Sequence, residues 1–288
     1  MRTIRSLDLH MHSAISDGSD APEAVLARVK EAGIDLFSLT DHDTIKGCQI
    51  LLRALEEGDP LFIPGVEFSC KDGEGQYHIL GYGYDPASDA IRRVVALGHS
   101  YRMNKVRARL DFLETQFGFV FPEEERNSLL SLPNPGKPHI GNLMVKYGFA
   151  KTREEAIRQF IDRIRFRANY VRPEEAIRGI LESGGIPVLA HPSYGSGNQL
   201  ILGEDMERRI RRLMGFGLQG LEGFYSGFTQ KLRTEILTLA ECCGLYVTAG
   251  SDYHGTNKLI APGDTGLDEV PEWPEGLRRF LNDVSMKR

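Results

Sequence analysis

The sequence predicts an α/β protein, a distorted (β/α)7 barrel with a helical insertion, and three observations carry that prediction. Short apolar runs alternate with amphipathic stretches, which is the pattern of βα units. Seven such runs fit strands, with a helix after most of them. From about Ser100 to Arg172 the rhythm breaks, and only helical patterns follow one another. Residues 1–99 and 173–288 are therefore read as the barrel, and 100–172 as a helical insertion over one side of its mouth.

In chain order, the first strand is Ser6–His10, and Pro22 opens a helix that runs to about Ala32, with Gly33 as its stop. Strand Leu36–Thr40 leads to a helix after Thr44, where Asp43 has the chemistry of an N-cap. Leu61–Val66 and His78–Tyr82 are the next strands. The insertion holds Met103–Gln116, Glu123–Leu130, His139–Tyr147 and Arg153–Arg163, with the turn Leu132-Pro133-Asn134-Pro135-Gly136 between them. Pro173-Glu174-Glu175 opens a helix that ends at Gly184-Gly185. Strand Pro187–Ala190, helix Arg208–Met214, strand Gly220–Phe224, helix Lys231–Cys243 and strand Leu245–Ala249 complete the pattern.

At 288 residues the chain fits one large domain, or a domain with a small insertion. No apolar run approaches the roughly 20 residues that span a bilayer. The N-terminal Met1-Arg2-Thr3-Ile4-Arg5 runs straight into a strand without the apolar region of a secretory signal. The expectation is a cytoplasmic protein, with no membrane and no obligatory protein partner evident. Cys48, Cys70, Cys242 and Cys243 have neither disulfide-framework nor CxxC spacing, and the last two read as core filling in a helix. The net charge of −5 conceals an asymmetry: residues 100–172 hold 14 Lys and Arg against 8 Asp and Glu, the remainder 21 against 32. An acidic body suits a metal cluster and a basic segment suits an anionic substrate, although a solvated helical surface has the same signature.

Six of the eight histidines sit in short motifs at predicted strand ends. The motifs are Asp8-Leu9-His10-Met11-His12 with Asp17 five residues on, Thr40-Asp41-His42-Asp43, Gly65-Val66-Glu67, Tyr77-His78-Ile79-Leu80, Ala190-His191-Pro192 and Gly250-Ser251-Asp252-Tyr253-His254. Imidazole and carboxylate are ligands for manganese, iron and zinc. His10 and His12, two apart on an extended segment, point the same way. In α/β barrels the C-terminal strand ends form one face, and sites gather there. Singly, each motif has an ordinary explanation: Asp17 a turn, His191 a satisfied core histidine. Six together at strand ends have none, and Glu67 at the end of an apolar strand needs a partner or a metal.

The set resembles the PHP (polymerase and histidinol phosphatase) domain of metal-dependent phosphoesterases. That family's DLHxHS, TDHD, G-x-E, H-I-L-G, AHP and GSDxH motifs stand here as Asp8–Ser13, Thr40–Asp43, Gly65–Glu67, His78–Gly81, Ala190–Pro192 and Gly250–His254. The resemblance implies two or three divalent ions, manganese first, with zinc or iron as alternatives. It implies that His10, His12, Glu67 and Asp252 hold the first and Glu67, His78 and His191 the second, with Asp17, His42 and His254 on the third. Asp252, His254 and Glu67 are the implied catalytic residues. Adjacent divalent ions supply a metal-bound hydroxide at neutral pH and neutralise the phosphoryl group.

Within the family, Tyr101-Arg102-Met103-Asn104-Lys105 and Gly136-Lys137-Pro138-His139 resemble a bacterial branch active on nucleoside 3′,5′-bisphosphates and on 5′-phosphorylated short RNA. The segment Phe166–Pro173 is shorter than in that branch. The resemblance implies that Lys137 and His139 reach over the mouth to substrate. Arg102, Arg107 and Arg109 would follow a phosphate backbone, and Tyr194, Tyr225 or Phe228 would stack a base. A phosphatase for histidinol phosphate or another small metabolite is the nearest alternative, and a non-catalytic binding module of the same fold is the alternative of another class.

Overall fold

Seven strands form one sheet in chain order: β1 (Leu7–Asp8), β2 (Leu36–Leu39), β3 (Leu61–Lys71), β4 (Gln76–Tyr82), β5 (Ile186–Leu189), β6 (Gly220–Tyr225) and β7 (Tyr246–Gly250). The computed structural model describes residues 4–164, 169–195 and 199–286. Residues 166–168 of the short Phe166–Pro173 segment and residues 1–3 at the N-terminus thus lie outside the described residues. Leu9 N–H donates to Ala249 O (2.9 Å) and Asp252 N–H to His10 O (2.8 Å), so the first strand meets the last and the sheet nearly closes into a barrel.

The strands differ from a regular parallel barrel in one place. β3 pairs antiparallel with β4, and β4 antiparallel with β5. β3 runs past Val66 to Lys71, so Glu67 lies within the strand rather than after it. His78 is near the start of β4 rather than at its far end, because the reversed strand begins at the mouth. The register places Ser69 opposite His78 and Glu67 opposite Leu80. Opposed residues share a face, so Glu67 and His78 are diagonal neighbours on one side of the hairpin.

Helices cover the sheet: α1 (Pro22–Glu31), α2 (Lys46–Ala54), α7 (Pro173–Glu182), α8 (Gly203–Met214), α9 (Gln230–Cys242) and α10 (Glu275–Asp283). Asp43 does not cap α2; its carboxylate accepts from Ser69 N–H and Arg102 instead. The packing of α9 buries Ile236 and Ala240, which leaves Cys242 exposed rather than in the core.

Helices α3 (Asp89–Phe117), α4 (Glu123–Ser131), α5 (Lys137–Lys146) and α6 (Arg153–Gln159) follow β4. α3 is continuous across residue 100, with Gly118 (φ 69°) as its left-handed stop. Val106, Leu110, Leu113, Ile140, Met144 and Ala156 make an apolar cluster of their own, edged by the rings of Phe117, Phe119, Phe149 and Phe160. This second core fixes α5 and α6 as a wall beside the barrel mouth.

Candidate metal centre

Glu67 is the centre of the site. Its carboxylate is 1% exposed, and five imidazoles surround it. Oε2 is 3.2 Å from His10 Nε2, 3.1 Å from His12 Nε2 and 3.2 Å from His42 Nδ1. Oε1 is 2.7 Å from His78 Nδ1 and 3.4 Å from His191 Nε2. Asp252 Oδ1 lies 3.6 Å from His10 Nε2 and 3.4 Å from His12 Nε2. Asp17 Oδ1 faces His254 Nε2 at 3.3 Å, and its Oδ2 faces His42 Nε2 at 3.8 Å. All nine candidate ligands therefore converge.

The hydrogen bonding tests whether these residues suit a cation. The Nε2 atoms of His10 and His12 face each other at 3.1 Å, both turned toward Glu67 and Asp252. Glu67 Oε1, His78 Nδ1 and His191 Nδ1 are buried without a hydrogen bond. The 2.7 Å approach of His78 to Glu67 thus lacks hydrogen-bond direction. Glu67 Oε1 and His78 Nδ1, both orphaned and facing each other, need a shared partner. Three sets of donors lie close enough to hold an ion: His10, His12 and Glu67; His12, Asp17 and His254; His42, Glu67 and His78. The donor set fits divalent cations that accept imidazole and carboxylate.

Electrostatics describe the ion-free cluster. Burial disfavours charge on His10, but Glu222, Glu67 and Asp252 outweigh it and raise its pKa well above the usual range. Burial, followed by the charge of His254, lowers His12 to about 4. Burial opposes ionisation of Glu67, yet His42, His78 and His10 hold it well below the usual carboxylate range. Asp17 is held low against burial by His42 and His254.

A second layer orients the ligands. Glu222, fully buried in β6, accepts from His10 Nδ1 (2.8 Å) through Oε1 and from His191 N–H (2.7 Å) through Oε2. His10 is thereby fixed with Nε2 facing the cluster. Tyr225 OH donates to Asp252 Oδ2 (2.9 Å), where the Lys258 ammonium also binds. His254 Nδ1 donates to Asp252 O (2.8 Å), leaving Nε2 for the site. Gly250 lets β7 pass close: a Cβ there would collide with His10 Cβ. Among the described residues, the non-glycine positions with positive φ are Asp43 (51°), His191 (28°) and Asp252 (60°), all at this mouth. Backbone strain collects where the fold over-determines a geometry.

The cleft above the cluster has a volume of about 260 Å³ and is lined by Asp17, His42, Glu67, His78, His191, Asp252 and His254 together with Pro138, Arg153, Glu154, Ile157, Asn257 and Lys258. Of the residues expected at substrate, Lys137 forms an ion pair with Asp162 (2.5 Å). His139 Nδ1 accepts from Gly136 N–H (3.1 Å), so that turn acts as a helix start. Arg102 is held by Asp43 (2.7 Å) and Ser69 Oγ (3.2 Å). The Tyr194 ring stands 5.9 Å from that of His191, and its OH donates to Gly227 O. Sequence reasoning missed Glu222, Arg153 and Lys258. For Glu222 the signal was present: a carboxylate within the apolar run Gly220-Leu221-Glu222-Gly223-Phe224 needs a partner, as Glu67 does.

Comparison with known proteins accounts for this arrangement. The PHP domain family matches residues 8–168. A 3′,5′-nucleoside bisphosphate phosphatase of Chromobacterium violaceum is 30% identical over 275 residues, 91% of this chain and 90% of its own length. The 5′-3′ exoribonuclease Rnm of Salmonella typhimurium is 28% identical over 286 residues, 93% of this chain and 94% of its own. A solved structure of a candidate metal-dependent phosphoesterase from Bifidobacterium adolescentis aligns at a TM-score of 0.81 with 25% identity, covering 96% of each chain. With a family match over more than half its length and a cluster of imidazoles around one buried carboxylate, the chain is a metal-dependent phosphoesterase of the PHP family.

Proposed function

We propose that the chain hydrolyses phosphate esters of small nucleotides, nucleoside 3′,5′-bisphosphates first, or of 5′-phosphorylated short RNA. The observation that carries this reading is Glu67 set between five imidazoles, which suits a carboxylate shared by two ions. His10, His12, Glu67 and Asp252 would hold one ion, and Glu67, His78 and His191 the second. Asp17, His42 and His254 would hold a third, with His12 and His42 standing at the borders between sets. When bound, such ions supply hydroxide at neutral pH and neutralise phosphoryl charge.

The chain's own residues do the rest. Arg153, held by Asn257 and Glu154, and Lys258, held by Asp252, bring positive charge to the cleft and would attract phosphoryl oxygens. Against burial, His10 and then Lys258 keep Asp252 ionised, and Tyr225 and Lys258 hold it aimed inward. Where only two ions bind, Nε2 of His254 is free of a ligand role, and beside Asp17 on the cleft wall it would meet the charge on the leaving oxygen. The nucleotide class is supported by the relatives, a bisphosphate phosphatase and an exoribonuclease.

The test is phosphate release by the manganese-loaded protein from adenosine 3′,5′-bisphosphate, AMP, histidinol phosphate and a 5′-phosphorylated trinucleotide. Preference for the bisphosphate or the trinucleotide is expected. Preference for histidinol phosphate overturns the substrate class. Glu67→Gln should abolish turnover and lower metal content, and unchanged activity would sink the bridging role.

A further inference from the structure

One face of α3 carries three cations, Arg102, Lys105 and Arg109, stacked along roughly 10 Å of helix at 1.5 Å per residue. Arg102 is neutralised by Asp43. Among the described residues, Lys105 and Arg109 have neither a hydrogen bond nor an ion pair. The carboxylates that act on them, Asp43 and Asp162, are committed to Arg102 and Lys137. Lys105 is nonetheless only 7% exposed. Its ammonium sits 3.8 Å from the centroid of the Tyr170 ring, which Lys71 approaches from 5.5 Å. A cation–π contact returns less than an ammonium loses on leaving water, so Lys105 is under-compensated. Lys105 reflects this: burial, followed by the charge of Arg102, pushes its pKa down to about 7.

This face borders the hydrolytic cleft. Arg102 Nη2 donates to Ser69 Oγ (3.2 Å), and Ser69 Oγ lies 3.5 Å from His42 Nδ1, a cleft-lining imidazole. Lys137, in the first turn of α5, precedes Pro138 on the cleft wall. A buried ammonium against an aromatic ring, with a half-buried guanidinium one turn further along the helix and, among the described residues, no carboxylate paired to either, forms the chemistry of an anion site.

We propose that Lys105, Arg109 and Tyr170 form a second anion site beside the cleft, which takes a substrate phosphate other than the one being hydrolysed. The identity of that ligand rests on the nucleotide reading above. The site would hold the second phosphate of a nucleoside bisphosphate, or the next backbone phosphate of a short RNA. A phosphate there restores the missing pairing for both cations, and a substrate with a single phosphate leaves it empty.

Two measurements on the manganese-loaded full chain test this. Kinetics compare adenosine 3′,5′-bisphosphate, adenosine 3′-monophosphate and p-nitrophenyl phosphate in the wild type, Lys105→Met, Arg109→Gln and Lys105→Arg. The bisphosphate preference of the wild type should fall tenfold or more in Lys105→Met and Arg109→Gln through KM. p-Nitrophenyl phosphate hydrolysis should stay within twofold, and Lys105→Arg should recover most of the preference. Equal loss on all three substrates, or a wild-type bisphosphate preference that both variants retain, overturns the site. The second measurement is calorimetric titration with sulfate: the wild type should bind one more sulfate than Lys105→Met. Equal sulfate uptake refutes the site whatever ester the enzyme prefers. A wild type that loses a sulfate in Lys105→Met yet shows no bisphosphate preference refutes the nucleotide reading and keeps the anion site.

Discussion

Glu222→Gln separates the ligand cluster from the layer that aims it. Glu222 is fully buried and uses both carboxylate oxygens, Oε1 for His10 Nδ1 and Oε2 for His191 N–H. Glutamine keeps one acceptor and turns an N–H₂ toward the other donor, so one buried donor is orphaned. An orphaned buried donor costs about 1–3 kcal/mol of stability. Releasing the imidazole of His10 also frees its tautomer, and loss of such an outer carboxylate lowers metal affinity by about 10–100-fold. Both effects are read without turnover, from urea unfolding of the ion-free protein and from Mn²⁺ affinity by chelator competition. Glu222→Ala should unfold at still lower urea, since both donors are orphaned. Wild-type metal affinity in Glu222→Gln would refute the claim that Glu222 aims His10.

Metal uptake should release protons. Burial opposes protonation of His10, His78 and His254, but Glu222 for the first, Glu67 for the second and Asp17 for the third raise each pKa in the ion-free site. Their protons must leave when an ion binds, so Mn²⁺ affinity should fall about tenfold or more per pH unit between pH 8 and 6; calorimetry in two buffers checks this, and pH-independent affinity contradicts it. Arg102→Ala should destabilise the fold by about 3–5 kcal/mol in denaturant, because it strands the buried Asp43 carboxylate; unchanged stability would return Arg102 to a purely substrate-facing role. Lys105 has a folded pKa of about 7, below the roughly 10.4 of an unfolded lysine. Between those values the unfolded chain binds the extra proton, so stability rises with pH there. Lys105→Met should flatten that rise in thermal unfolding between pH 7 and 10, and an identical slope would show that Lys105 is not strained by burial.

The strands were legible because their apolar runs are local, and so were the candidate ligands, eight inside short motifs and Asp17 five residues beyond one. The reversal of β4 was not. Only the turn Asp72-Gly73-Glu74-Gly75 separates β3 from β4, too short for the helical crossover that a parallel pair requires. Ending β3 at Val66 hid that turn inside an apparent gap. Glu222 stands alone in its strand with no flanking motif, so only the burial argument could have found it. The pairing of Lys137 with Asp162 joins residues 25 apart across α5 and α6, which no spacing rule reaches. Lys105 and Arg109 were legible as cations suited to phosphate, but the burial of Lys105 was not, because the Tyr170 ring that covers it comes from another segment.

The convergence of acceptors around Glu67 is held by the chain, and the buried aspartates explain how. Asp8 accepts from His10 N–H (3.2 Å), Ser251 N–H (3.0 Å) and Gly263 N–H (2.8 Å), and so ties the first strand to the segment that carries Asp252. Asp41 accepts from Ser13 N–H (2.8 Å), Ser13 Oγ (2.7 Å) and Ser16 Oγ (2.7 Å), and so fixes the turn between His12 and Asp17. Neither faces the cluster as a ligand; each spends its charge on neighbouring backbone and hydroxyl groups. Burial raises both pKa values, and those hydrogen bonds work against the rise. The left-handed turn at Asp252 persists because its N–H is bound by His10 O while Tyr225 and Lys258 hold its carboxylate. Repulsion among the converging acceptors is thus opposed by anchors just outside them. A site built this way places its donors before any cation arrives, so binding energy need not be diverted to assembling them.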